Sequence, residues 1–250
     1  MMNIVITAGG TSEHIDAVRT ITNTGTGMLA AIIVDTILKS SINVDKIFYI
    51  HTTKAFKPQT ESDKISFIQV EDTNSVAEAV KKVLTENTID WFIHAMAISD
   101  YYVDFVSTAD RVADSIMKSL TDLSVERPAD IFLKGENRLD NSKKLSSNED
   151  NLVVVLRKTP KIINSIKKLS PNTNLIGFKL LNNVTVDDLR NAAYNQMETN
   201  DCSYVVANDS AQINSTKHEA YIFGSNNSVT HVHTNGEIAS ALTNIMIGGN

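Results

Sequence analysis

The sequence is poor in the features that would place the protein outside the ordinary globular classes. Cys202 is the one cysteine among 250 residues, so no disulfide can form within the chain, and a core of this size needs none. No apolar run approaches the roughly 18 residues that a membrane span requires. We therefore expect a soluble protein of a reducing compartment, without membrane partners.

A strong charge of one sign is also lacking. The net charge is −6, and neither sign forms a long run, which argues against a nucleic-acid partner or an anionic membrane surface. A phosphate-bearing ligand would have to be held by local groups. The first residues, Met1 to Thr7, have no basic start and no cleavage site, so we expect no signal peptide and a cytoplasmic location.

Short apolar runs alternate with helical patterns along most of the chain. This rhythm predicts a doubly wound, Rossmann-like α/β fold with a mostly parallel sheet and a C-terminal β-hairpin at 219–224 and 228–233. The other predicted strands are 3–8, 46–51, 65–70, 91–97, 152–156, 175–180 and 204–207. The predicted helices are 27–38, one capped by Thr73 or Asn74, one from Pro160 to about 169, 186–199 and 236–247.

The alternation of apolar runs with helical patterns weakens between residues 99 and 147. This polar segment holds one predicted helix, near 109–120, and follows a strand end, where a lid would lie. We predict one nucleotide-binding α/β domain, 1–250, with 99–147 as a lid and dimer-contact insertion within it. The alternative is a variable surface excursion.

Two glycine-containing loops lie close together near the N-terminus. Gly9, Gly10 and Thr11 follow the first strand, where exposed amides can bind phosphate; the alternative is a tight turn. The loop matches neither a Walker loop nor G-x-G-x-x-G. The second strand ends at 51–53 without the acid that a ribose requires, which disfavours an NAD(P)-dependent oxidoreductase.

The second loop adds side chains that can bind a substrate. Arg19 can pair with phosphate or carboxylate, and Asn23 brings an amide in front of residues 24–27, which enter a helix N-terminus. The alternative is a surface pair between Arg19 and Asp16, with Asn23 and Thr24 as helix caps. Asp100 follows a buried strand and could contact a base, a ribose or a metal, or only form a turn.

Five sequence blocks, in this order along the chain, resemble one family. They are ITAGGTSEHIDAVRTITNTGTG, HAMAISDYY, KKLSSNEDNLVVVLRKTPKII, LIGFKL and VVANDS, which hold the loops above together with weaker motifs at 143–147, 159–162, 177–179 and 207–209. Over essentially the whole chain the sequence resembles phosphopantothenate–cysteine ligase of coenzyme A biosynthesis, in its stand-alone bacterial form.

The resemblance implies a ligase that joins 4′-phosphopantothenate and cysteine through an acyl-nucleotide, with release of pyrophosphate. CTP is the expected co-substrate, with ATP possible, and Mg²⁺ accompanies it. A homodimer is also implied. The implied catalytic residues are Asn23, Arg19 and Lys144. The implied nucleotide- and substrate-binding residues are Gly9, Gly10, Thr11, Thr24, Gly25, Thr26, Gly27, Ala95, Asp100, Lys143, Thr159, Pro160, Lys161, Ile162 and Phe178.

The sequence departs from the family pattern at two places. Gly25-Thr26-Gly27 stands where the family usually has Ser-Thr-Gly or Ser-Ser-Gly, so hydroxyl contacts there differ. Residues 191–200 lack the lysines that usually face the triphosphate. Arg190 or Lys179 could substitute, amides such as Asn195 and Gln196 could bind more weakly, or nucleotide use could have changed.

Other reactive side chains have structural interpretations. Cys202 and His94 are expected to be core residues, and no metal-binding residues are assigned, because His231 and His233 lack further ligands at suitable spacing. A rival hypothesis is a non-catalytic nucleotide- or flavin-binding regulator on the same fold.

Overall fold

The computed structural model describes residues 1–121, 137–214 and 217–248. These residues pack into two compact units. The first comprises 1–11, 24–98 and 161–250, and the second comprises 12–23 and 99–160. Within the described residues, no helix is both long and apolar enough to cross a membrane.

The first unit is built on an eight-stranded sheet. Its strands are β1 (Met2–Ala8), β4 (Val44–Thr52), β5 (Ile65–Val70), β6 (Trp91–His94), β9 (Asn174–Leu181), β10 (Tyr204–Ile213), β11 (His218–Gly224) and β12 (Val229–Val232). Its described helices are α1 (Met28–Lys39), α2 (Thr73–Glu86), α4 (Ile163–Leu169), α5 (Val186–Asn200) and α6 (Asn235–Gly248). The strand order is β12-β11-β10-β9-β6-β1-β4-β5.

The six strands from β10 to β5 in this order are parallel, and β11 and β12 form the antiparallel hairpin at the sheet's edge. The predicted doubly wound, mostly parallel sheet and its terminal hairpin are therefore confirmed. Strand side chains alternate between the two faces. Accordingly Ile4 and Ile6 pack in the core beneath α1 and α6, whereas Val5 packs in the core beneath α2, α4 and α5.

The strand order reverses beside β1. The chain runs from β1 to β4 and β5 on one side, then returns to β6 on the other side of β1. Ligands of such sheets bind where this reversal separates the loops that leave the strands' carboxyl ends. Here those loops are the glycine segment after β1 and residues 95–98 after β6.

The second unit contains two small antiparallel sheets and one described helix. Strands β2 (Ser12–His14) and β3 (Thr20–Thr22) pair with each other, as do β7 (Tyr101–Thr108) and β8 (Leu152–Lys158), and α3 (Ala109–Thr121) follows β7. The predicted helix near 109–120 is confirmed. The lid and dimer-contact role of 99–147 stays a prediction, and its residues 122–136 lie outside the described residues.

Several sequence-based boundaries were wrong. The cap of α2 is Asp72, and not Thr73 or Asn74 as predicted. The Asp72 carboxylate accepts a hydrogen bond from the Ser75 amide, and the Asp72 amide donates to the Ser75 hydroxyl. Strand β6 ends at His94, three residues before the predicted end at residue 97. The helix after Pro160 begins three residues later, at Ile163.

The strand content of the inserted region was also misjudged. Strand β7 was missed because its sequence, YYVDFVST, has no continuous apolar run and its first four residues are exposed or half-buried. Strand β8 was predicted, but it pairs with β7 and not with the parallel sheet. The short strands β2 and β3 were missed as well, since three residues carry too little periodicity to detect.

Candidate active site

The loop after β1 is built around a glycine that no other residue could replace without strain. Gly9 has a φ of 98° and is buried. A Cβ there would overlap Thr52 Oγ1 and lie 2.9 Å from Ala55 Cβ. The loop is tied to the segment after β6, because Ala97 N donates to Gly9 O at 2.9 Å and Thr11 N donates to Ala97 O at 3.1 Å. The two loops of the strand-order reversal are thus bonded together.

The second glycine loop packs directly on the first. A Cβ on Gly25 would lie 2.7 Å from Gly9 O, and one on Gly27 would lie 3.0 Å from Gly9 N. Gly27 has a φ of 74° and is the N-cap of α1, which has no side-chain cap. Residues 24–26 are exposed. Two glycine backbones in contact beside a helix N-terminus form the kind of surface that backbone amides offer to phosphate.

The end of β6 is fixed by a hydroxyl that bonds two ways. Thr7 Oγ1 lies 3.2 Å from His94 Nδ1 and accepts a hydrogen bond from Met96 N at 3.1 Å. Burial lowers the pKa of His94 to about 4, so its imidazole is neutral at physiological pH. The structural interpretation of His94 fits this environment. Ala95, half-buried, follows it at the strand-order reversal.

The remaining predicted residues of the first unit do not share one face of the sheet. Phe178 packs against the core beneath α1 and α6, whereas Ile162 is buried in the core on the other face. Lys161 is exposed. Because the Ile162 side chain is committed to the core, only its backbone can serve a ligand.

In the second unit, Arg19 is held by a buried carboxylate. Asp16 is 1% exposed and accepts the amides of Val18, Arg19 and Leu145 at 2.9, 2.8 and 3.1 Å. Arg19 Nη2 lies 2.6 Å from Asp16 Oδ2 and donates to Leu145 O at 3.1 Å. Burial opposes ionisation of Asp16, but these hydrogen bonds, led by that of the Arg19 side chain, hold its pKa well below the usual value.

This arrangement corrects the interpretation of Arg19 and Asp16 as a surface pair, since the carboxylate is buried. It also links the Arg19 turn to residue 145, directly after Lys143 and Lys144, which are both exposed. Asn23 is half-buried, one residue beyond β3. Leu145, which donates its amide to Asp16, lies 129 residues further along the chain, and no pattern in the sequence indicates this contact.

The predicted residues on either side of the β7–β8 ribbon do come together. Thr159 N donates to Asp100 O at 3.0 Å, and Thr159 Oγ1 donates to Ser99 O at 2.6 Å. Asp100 and Pro160 are exposed. Thr159 therefore holds the backbone carbonyls of Ser99 and Asp100, and the exposed side chains of Asp100 and Pro160 are candidate ligand contacts.

The candidate residues fall into one set in each compact unit. The first unit holds Gly9, Gly10, Thr11, Thr24, Gly25, Thr26, Gly27, Ala95, Lys161, Ile162 and Phe178. The second unit holds Arg19, Asn23, Asp100, Lys143, Lys144, Thr159 and Pro160. Cys202 belongs to neither set: burial raises the pKa of its thiol to about 12, so it is no nucleophile at neutral pH.

Comparison with known proteins identifies the family. Residues 1–140 and 134–247 match the DNA/pantothenate metabolism flavoprotein C-terminal domain. The chain belongs to this family. It is similar to a crystal structure described as the DNA/pantothenate metabolism flavoprotein from Streptococcus pneumoniae, with 31% identity, complete coverage of both chains and a TM-score of 0.82.

More distant relatives were found as well. The chain is 27% identical over 221 residues to the coenzyme A biosynthesis bifunctional protein CoaBC of Thermococcus kodakarensis, covering 88% of this chain and 44% of that protein. The chain thus spans less than half the length of this relative. A Cab2 mutant in complex with phosphopantothenate-cysteine shares the fold, with a TM-score of 0.67, 14% identity and coverage of 99% of this chain and 88% of that one.

Proposed function

We propose that this protein is a ligase that joins 4′-phosphopantothenate to L-cysteine at the expense of a nucleoside triphosphate. Family membership and the likeness to a coenzyme A biosynthesis protein support the proposal. The observation that carries it furthest is the contact between the Gly9 and Gly25 backbones at the strand-order reversal. That surface suits the polyphosphate of a nucleotide because it offers amides and admits no side chain.

The proposed reaction has two steps. In the first, a carboxylate oxygen of phosphopantothenate attacks the α-phosphorus of the nucleotide, and pyrophosphate leaves with the electrons of the broken P–O bond. In the second, the cysteine amine attacks the acyl carbon and loses a proton, and the nucleoside monophosphate leaves. The product is an amide, 4′-phosphopantothenoylcysteine. Neither step requires an enzyme nucleophile, so positioning and charge stabilisation are the protein's contribution.

The first unit's set would bind the nucleotide. Gly9, Gly10 and residues 24–27 would hold phosphates through backbone amides, with CTP as the expected nucleotide and ATP as its competitor. Thr11 would lie beside them, since its own amide donates to Ala97 O. Mg²⁺ would come with the nucleotide, whose phosphates and waters supply most of its ligands. Asp209, in the middle of β10, does not suit a metal cage, because its carboxylate accepts the amides of Asn183, Val184 and Ala211.

The second unit's set would act on the acyl group. Asn23 would donate its amide to the phosphopantothenoyl part, and Arg19, held by Asp16, would present its remaining N–H groups to an anionic oxygen. Lys143 and Lys144 would meet the triphosphate, and Asp100 would face the base. A homodimer and a cytoplasmic location belong to the same proposal.

The far phosphates need a cation that residues 191–200 do not supply. Arg190 Nη1 lies 2.6 Å from Asp187 Oδ1 on the exposed start of α5, and Gln196 Nε2 donates to Phe178 O at 3.4 Å. Both groups are already engaged. Lys179 lies in β9 two residues beyond Gly177, on the strand face that α5 covers, near the strand's carboxyl end. We therefore propose that Lys179 supplies the cation that binds the far phosphates of the nucleotide.

Pyrophosphate release tests the proposal when CTP and ATP are run in parallel. Release should require phosphopantothenate, and amide product should require cysteine in addition. Asn23→Ala should lower the rate about 10²- to 10³-fold, as loss of one preorganised donor does. Asn74→Ala is the matched control, because Asn74 is exposed on α2. Full activity of Asn23→Ala would remove that residue from the mechanism. Nucleotide binding without any pyrophosphate from either nucleotide would favour the regulator hypothesis instead.

A further inference from the structure

The C-terminal hairpin gathers three side chains that metals prefer. Glu219 lies on β11, His231 lies on β12 and His233 lies just beyond it. One ligand atom from each lies within 4.8 Å of the other two. The register Tyr221↔His231 and Ala220↔Val232 puts all three on the face opposite the buried Ala220 and Val232. The fold thus supplies the third ligand that the spacing of the two histidines lacked.

Two of these donors already stand at a separation that suits coordination. His231 Nε2 lies 2.8 Å from Glu219 Oε1. Two donors bound at about 2.0–2.2 Å to one metal stand about 3 Å apart at a right angle and about 3.4 Å apart at a tetrahedral angle. The exposed His233 ring needs only to approach these two atoms. A metal would take the place of the present contact between the imidazole and the carboxylate.

The surroundings hold the ligands in position. The His231 ring stacks on Tyr221, with centroids 4.2 Å apart and planes 2° apart, which fixes the direction of its nitrogen atoms. Lys217 Nζ bonds to the other carboxylate oxygen, Glu219 Oε2, at 2.5 Å. Metal-binding carboxylates are ordinarily held by such an outer hydrogen bond. Oε1 is thereby left as the coordinating atom.

We propose that Glu219, His231 and His233 form a binding site for a divalent transition metal of the zinc class, which clamps the edge hairpin β11–β12. Two imidazoles and one carboxylate suit zinc and its neighbours better than Mg²⁺ or Ca²⁺, which take oxygen ligands. The metal would cross-link β12, the sheet's edge strand, to β11. The site does not depend on the ligase proposal, since it uses none of the residues assigned to that reaction.

Cobalt titration of the full, untagged chain tests this site, because bound Co²⁺ absorbs visible light. We expect one saturable equivalent that Zn²⁺ displaces. His231→Gln and His233→Gln should each weaken binding more than about 100-fold, beyond the 10- to 100-fold range of outer-contact changes. His14→Gln is the control, because His14 lies in β2 of the second unit and should keep full binding.

A measurement on the unaltered chain guards against variants that fail to fold. In NMR spectra, Zn²⁺ should shift the ring signals of His231 and His233 selectively among the six histidines. The absence of saturable cobalt absorption, undiminished binding by His231→Gln, or ring shifts spread over all histidines would each overturn the proposal.

Discussion

Gly9→Ala is the substitution whose cost the structure defines best. The residue would be held at a φ of 98°, a region in which a side chain costs about 1–3 kcal/mol. Its Cβ would also overlap Thr52 Oγ1 and crowd Ala55, and overpacking of this kind costs about 1–3 kcal/mol. The expected loss is therefore about 2–6 kcal/mol, a large part of the roughly 5–15 kcal/mol that keeps a domain folded.

The two contributions can be separated by a second substitution. Thr52→Ala removes the overlapping hydroxyl but leaves the backbone strain and the Ala55 contact. The double variant should recover about 1–2 kcal/mol relative to the sum of the single changes, since residues in contact do not behave additively. Gly236→Ala is the control, because the nearest atom to its added Cβ is 3.9 Å away and its φ is ordinary.

Urea unfolding measures these changes. Trp91, the chain's one tryptophan, is buried at the start of β6 in the same unit and reports unfolding through its fluorescence. Gly9→Ala should lower the free energy of unfolding in water, and Gly236→Ala should leave it unchanged or raise it by about 0.4–1 kcal/mol. If Gly9→Ala proved as stable as Gly236→Ala, or if Thr52→Ala gave no recovery, the described packing of the loop would be wrong.

Two further predictions concern charged residues. The pKa of Asp16 is lowered on folding, so its stabilising effect is present above the ordinary value of 3.8 and is lost as the pH falls below it. The difference in unfolding free energy between the wild type and Asp16→Asn should therefore be largest at neutral pH and shrink in acid, as measured by urea unfolding across pH. A difference that stays constant with pH would contradict the lowered pKa of Asp16. Lys179→Met should raise the KM for the nucleotide, whereas Lys168→Met, on the exposed side of α4, should not; equal KM values in both variants would exclude Lys179 from triphosphate binding.

The sequence predicted those parts of the fold that local patterns encode. Nearly continuous apolar runs identified the parallel strands, and the run at 65–70 has the bounds of β5 in the structure. The predicted second strand, β4, ends at Thr52, and no acid stands there to bind the ribose of NAD. The hairpin followed from two strands and a short polar turn. Each of these features needs only neighbouring residues to form.

What the sequence did not reveal depends on distant contacts. Nothing near Asp16 indicates that Leu145 donates to it, and nothing near Gly25 indicates that it packs on Gly9. Strand β8 reads like a sheet strand because pairing partners are not encoded locally. Glu219 stands 12 residues before His231, and only the hairpin register makes them neighbours.

An isotope-transfer experiment tests whether the phosphopantothenate carboxylate attacks the nucleotide. Phosphopantothenate labelled with ¹⁸O in its carboxylate is incubated with the protein, cysteine, Mg²⁺ and CTP or ATP, and the nucleoside monophosphate is analysed by mass spectrometry. We expect one labelled oxygen to move to the monophosphate, in step with formation of phosphopantothenoylcysteine, because the carboxylate oxygen attacks the α-phosphorus. Amide product with an unlabelled monophosphate, or no turnover with either nucleotide, would contradict it.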